Sequence, residues 1–72
     1  MNIGDYRLFT SDVVSLKVYD ILGREVATLV DGKQNAGNYR VEFNGGRLGS
    51  GVYFYRLEAG KFVEQRKMIL MK

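Results

Sequence analysis

Three stretches of this 72-residue chain carry apolar side chains at every second position: Val14, Leu16 and Val18; Tyr39, Val41 and Phe43; and Tyr53, Tyr55 and Leu57. A repeat of two places such residues on one face of an extended strand and their neighbours on the other. It does not fit a helix. The one stretch with roughly helical spacing, Asp20 to Val30, contains Gly23 and several β-branched residues, which oppose a helix.

The remaining chain divides into strands and turns around those three anchors. Ile3 to Leu8 is a weaker strand with Tyr6 and Leu8 on one face. Ile21 to Arg24 reverses the chain, Gly23 supplying the positive φ that a tight turn needs. Glu25 to Val30 is the next strand, and the polar stretch Asp31 to Asn38 is expected to be a loop. Asn44 to Gly51, rich in glycine, is a second loop, with Leu48 as its apolar anchor. Val52 to Ala59 is the densest in aromatic and β-branched residues. Gly60-Lys61 has glycine first, as a type II′ hairpin requires, and Phe62 to Met71 is the returning strand. There Met68 and Leu70 face one way while Ile69 and Met71 face the other. Such a strand is expected to be central, or covered on its outer face. The fold class is therefore all-β: a small antiparallel immunoglobulin-like sandwich of six to seven short strands, with residues 1–72 as a single domain.

Several chemistries fall away at once. The chain has neither cysteine nor histidine, so it lacks a thiolate, a disulfide, the usual general base and the commonest metal ligand. A domain this small has about 3–5 kcal/mol of stability and no surplus chain with which to build a pocket. Asp5, Asp12, Asp20, Glu25 and Asp31 are scattered singly, without the alternating oxygens of a calcium loop. The glycines of residues 44–51 precede a strand and lack a correctly placed lysine, so they do not form a phosphate cradle. The reading is of a non-enzyme with no cofactor and no metal.

The net charge of +3 is unevenly placed. The first sixty residues balance; Lys61, Arg66, Lys67 and Lys72 stand against Glu64 alone. Such charge protects a strand edge from aggregation, and it also offers a handle to a partner. Tyr53, Tyr55 and Arg56, beside Arg66 and Lys67, would suit stacked bases or sugars only if the tyrosines faced outward. Alternation favours the core for them, with their hydroxyls at its rim. No nucleic-acid partner is expected. No run approaches the roughly 20 apolar residues of a membrane span, so membrane insertion is not expected either. Met1 to Asp12 lacks the pattern of a secretory signal peptide, so an export signal would lie elsewhere on a longer precursor.

Taken in order, these segments resemble one family. Val14-Ser15-Leu16-Lys17-Val18-Tyr19-Asp20-Ile21-Leu22-Gly23-Arg24-Glu25-Val26 is similar to a hallmark stretch of the type A C-terminal sorting domains of the type IX (Por) secretion system of Bacteroidota-like bacteria. Ala36-Gly37 with Tyr39-Arg40-Val41, the run Leu48 to Leu57, and the lysine-bracketed Lys67-Met68-Ile69-Leu70-Met71-Lys72 resemble its later motifs at matching spacing. The proline- and asparagine-rich opening usual in the family is absent, which points to a domain excised from a larger exported protein. The resemblance implies a sorting signal recognised by the outer-membrane translocon, which exports and anchors attached cargo. It implies a sortase-like signal peptidase as a second partner, and passage through the periplasm to the cell surface or beyond.

The expected recognition residues are Gly51, Tyr53, Arg66, Lys67, Met68, Ile69, Leu70 and Lys72, with Gly51 and Tyr53 equally readable as structural. Two alternatives stand beside this: an immunoglobulin-like interaction domain of the flagellar hook-capping type, and a carbohydrate-binding module. An exposed strand near Ile3–Leu8 would also allow a homodimer through strand addition.

Overall fold

A computed structural model of the chain describes residues 2–43, 46 and 48–71, and the side chains of residues 5 onward within that set. Six strands occur in order: β1 (Asn2–Leu8), β2 (Asp12–Asp20), β3 (Glu25–Gln34), β4 (Gly37–Glu42), β5 (Gly51–Ala59) and β6 (Phe62–Leu70). All pairing is antiparallel, in a four-stranded sheet ordered β3-β2-β5-β6 and a two-stranded sheet of β1 and β4. The described residues contain no helix.

The alternation read from sequence sets what faces inward. Val14, Leu16 and Val18 of β2 are almost completely buried, while Val13, Ser15, Lys17 and Tyr19 turn to the sheet's outer side. One core cluster joins Leu8, Val14, Leu16, Val41 and Leu57, so β1 and β4 lie across the inner face of the larger sheet. A second joins Val18, Phe43, Tyr53, Met68 and Leu70, with Leu48 of the 43–50 connection packed against it. Leu48 is thus the anchor its isolation in a polar loop suggested. Tyr6 and Tyr39, register partners across β1 and β4, stack with ring centres 5.2 Å apart and planes 18° from parallel. The Tyr6 hydroxyl donates to Gln34 Oε1, tying the small sheet to β3.

Two expectations are corrected. The loop expected over Asp31 to Asn38 shrinks to Asn35 and Ala36, because β3 continues to Gln34 opposite Asp12–Ser15. As an edge strand, β3 can draw its hydrogen bonds from the β2 backbone while its polar side chains stay in solvent. β6 is likewise an edge strand and not central. Its inward Met68 and Leu70 are buried, but Ile69 remains 57 % exposed and Met71 83 %.

Two of the described turns use glycine at positive φ. Gly23 sits at φ +83° in the β2–β3 turn, and Gly60 at φ +60° begins the β5–β6 hairpin. Lys61 has no positive φ, so the hairpin is of the II′ kind. β3 breaks the simple alternation: its register against β2 shifts at Leu16/Lys17 and again at Val18/Tyr19. Each shift is a bulge that brings consecutive residues, Leu29 with Val30 and Val26 with Ala27, toward the core.

Candidate functional site

The residues singled out from sequence converge on the β5–β6 hairpin, where Gly51 faces Leu70 and Tyr53 faces Met68. The fold then divides them. Tyr53, Met68 and Leu70 point into the second core cluster and are at most 9 % exposed. The Tyr53 hydroxyl donates to the Gly49 carbonyl at 2.8 Å, fastening the preceding loop to β5. Gly51 is exposed, and the space beside its Cα is open. These inward residues build the surface without being part of it.

Lys67 and Ile69 leave the outer face of β6, Lys67 opposite Phe54 and Ile69 opposite Val52. Arg66 leaves the other face, opposite Tyr55, and its guanidinium grips Glu64 Oε1 at 2.5 Å. Arg66 and Lys67 therefore do not form one basic patch. Lys72 lies outside the described residues. The stacking platform weighed from sequence is not assembled, since Tyr53 is core and Tyr55 packs against both clusters.

Across the outer face, register aligns Glu25, Tyr19, Phe54 and Lys67 in one row, and Thr28, Lys17, Arg56 and Gln65 in the next. Lys17 pairs with Glu25 at 3.4 Å and Arg56 with Glu58 at 3.0 Å. Lys67 makes no ion pair among the described residues, so it is the uncompensated charge of its row. Glu25 raises the pKa of Lys17, by accepting its hydrogen bond and then through the charge itself. A shallow groove of about 360 Å³, lined by Tyr19, Asp20, Ile21, Phe54, Arg56 and Gln65 among others, runs from the β2–β3 turn to β6.

That turn is where sequence reasoning saw only a reversal. Asp20 braces it: Oδ1 accepts from the amides of Leu22 and Arg24, both at 2.9 Å, and Oδ2 accepts from Arg24 Nε at 2.7 Å. The Gly23 amide donates to the Asp20 carbonyl at 3.0 Å, and the Asp20 amide to the Arg24 carbonyl at 2.9 Å. The Arg24 amide, more than any other group, holds the Asp20 carboxyl below the usual carboxylate range, and the Arg24 guanidinium adds to it. On this braced turn Ile21 and Leu22 are 70 % and 74 % exposed. Two large apolar residues inside a polar, glycine-closed turn were the signal that could have marked them.

Among the described residues no group of three or more acidic, histidine or cysteine side chains could hold a metal ion. No described helix is long and apolar enough to cross a membrane.

A family model described as the secretion system C-terminal sorting domain matches residues 4–71. No curated protein and no solved structure matches the chain. With nearly its whole length covered, the chain belongs to that family, whose members are non-catalytic type IX sorting signals. Such a tail marks a secreted or cell-surface protein and interacts with the type IX secretion system.

Proposed function

We propose that this sorting domain is a folded address tag, read by the type IX outer-membrane translocon through the outward side of β6 and the β5 strand beside it. The match over residues 4–71 carries the reading. The placement of surplus positive charge on the last twelve residues, and the exposure of Lys67 and Ile69 on an edge strand, support it. On this reading the chain is the terminal domain of a longer exported protein, which crosses the periplasm and is anchored at the surface after a sortase-like peptidase removes the tag. The β1 strand pairs only with β4 among the described strands, and a second copy is proposed to add to its open edge. A sedimentation weight that stays monomeric across a wide concentration range would exclude that dimer.

The test of export is a periplasmic reporter carrying residues 1–72 at its C-terminus in a type IX-competent host. Deleting Arg66–Lys72 would be a poor variant, because Met68 and Leu70 belong to the core. The paired change Lys67→Glu with Ile69→Ser leaves the core intact and should abolish surface display. Undiminished display of that variant would overturn the reading of β6 as the recognition strand.

A further inference from the structure

The recognition surface proposed above rests on β6, yet the structure places a second apolar display at the same end of the sandwich. β2 ends at Asp20 opposite Tyr53, and Tyr53 stands opposite Met68, so the β2–β3 turn and the last residues of β6 lie at one pole. Ile21 lines the same groove as Gln65 of β6, which makes the turn and the outer face of β6 one continuous surface.

Four large apolar side chains stand out at this pole: Ile21, Leu22, Ile69 and Met71. Scattered exposed apolar residues need no explanation, but a clustered display does. The Asp20 network holds the turn in one geometry, so docking there would sacrifice little backbone freedom. The local charge also indicates the partner. Asp20 and Glu25 are each bridged to a base, Arg24 and Lys17, whereas Lys67 has no acidic partner among the described residues. The surface complementary to this pole is apolar at its centre and acidic at its rim.

We infer that the β2–β3 turn is the second half of the docking surface. Ile21 and Leu22 join Ile69 and Met71 in one apolar patch, bordered by Lys67, that seats a type IX secretion-system protein whose apolar surface has an acidic rim. The inference builds on the reading of β6 and adds a site that β6 alone does not contain.

The reporter fusion tests it with three sets of changes, each domain also melted in isolation. Ile21→Ser with Leu22→Ser should lower surface display about tenfold or more, the loss expected when central apolar anchors are removed, with an unchanged melting temperature. Phe9→Ser with Val13→Ser alters equally exposed apolar residues near the β1–β2 connection, at the opposite pole, and should leave display intact. Leu22→Glu should lose more display than Leu22→Lys, because a carboxylate would meet the acidic rim. Wild-type display by the Ile21/Leu22 variant overturns the inference while β6 recognition stands. An equal loss from the Phe9/Val13 pair overturns it too, since the effect would not belong to this pole. Equal losses from Leu22→Glu and Leu22→Lys overturn the acidic rim. Absence of display from the unaltered fusion overturns both the inference and the reading beneath it.

Discussion

At Asp20 a single carboxylate organises a five-residue turn, and its titration should be visible in stability. Its pKa in the folded chain lies below the ordinary value because the Arg24 amide and guanidinium favour the charged form. The sign follows: the contribution is present above the unfolded pKa of about 3.9 and is lost as pH falls through the lower, folded value. Asp20→Asn keeps an oxygen that can accept the two amides but removes the charge facing Arg24. The melting temperature of the variant should therefore trail the wild type above the unfolded pKa and converge with it as pH falls through the lower, folded value. Parallel melts across that range measure it, and a gap that stays constant with pH would show that the charge contributes nothing.

The two turn glycines offer a matched pair at the same scale. Gly23 has open space where a Cβ would go, so Gly23→Ala should cost only the left-handed backbone penalty, about 1–2 kcal/mol. At Gly60 a Cβ would overlap the Asp12 carboxylate, whose Oδ1 accepts from the Val13 amide at 2.8 Å. Gly60→Ala should therefore destabilise more than Gly23→Ala in urea unfolding. The reverse order would mean that the Asp12 carboxylate swings aside freely.

Among the strands, β2 is the most legible in sequence because it is central and its two sides differ sharply. Val14, Leu16 and Val18 are buried in the two apolar clusters, while Lys17 and Tyr19 meet solvent and the outer rows. Leu16→Ala should lose about 2–5 kcal/mol, enough to unfold much of a domain holding about 3–5. Val13→Ala, one residue earlier on the outer face, should change stability little, and circular dichroism melts separate the two. The edge strands were less legible for opposite reasons. The second half of β3 is polar because its pairing with β2 runs through backbone groups, so composition gave no sign that it was a strand. The end of β6 is apolar on both faces, which by burial alone implied a covered strand. Ile69 and Met71 are instead exposed, and apolar residues that burial does not explain are better read as a contact surface. Tyr53, Met68 and Leu70 lie on the hairpin singled out from sequence, but their inward direction puts them in the core beneath its surface. Ile21 and Leu22 were passed over because a turn is judged by its glycine and not by what it displays.

In the molecule as a whole, the strand proposed for recognition is also a wall of the core, so on that reading folding and reading of the tag are coupled. Met68 and Leu70 make up two of the five buried members of the second cluster, and that cluster shares Leu29 and Tyr55 with the first. Removing residues 66–72 strips both side chains, each worth about 1.5–3 kcal/mol of burial, along with all of the β6 pairing beyond Gln65. Against about 3–5 kcal/mol of total stability, that loss leaves no folded state to populate. The truncated chain should give an unstructured far-ultraviolet spectrum and no cooperative melt, while the Lys67→Glu, Ile69→Ser chain should melt close to the wild type. A truncated chain that kept its β spectrum and a cooperative transition would show that β6 is dispensable to the sandwich. Loss of export on truncation could then be assigned to recognition alone. If the truncation unfolds as expected, only outward substitutions such as those at Lys67, Ile69, Ile21 and Leu22 can separate what the secretion system reads from what the fold requires.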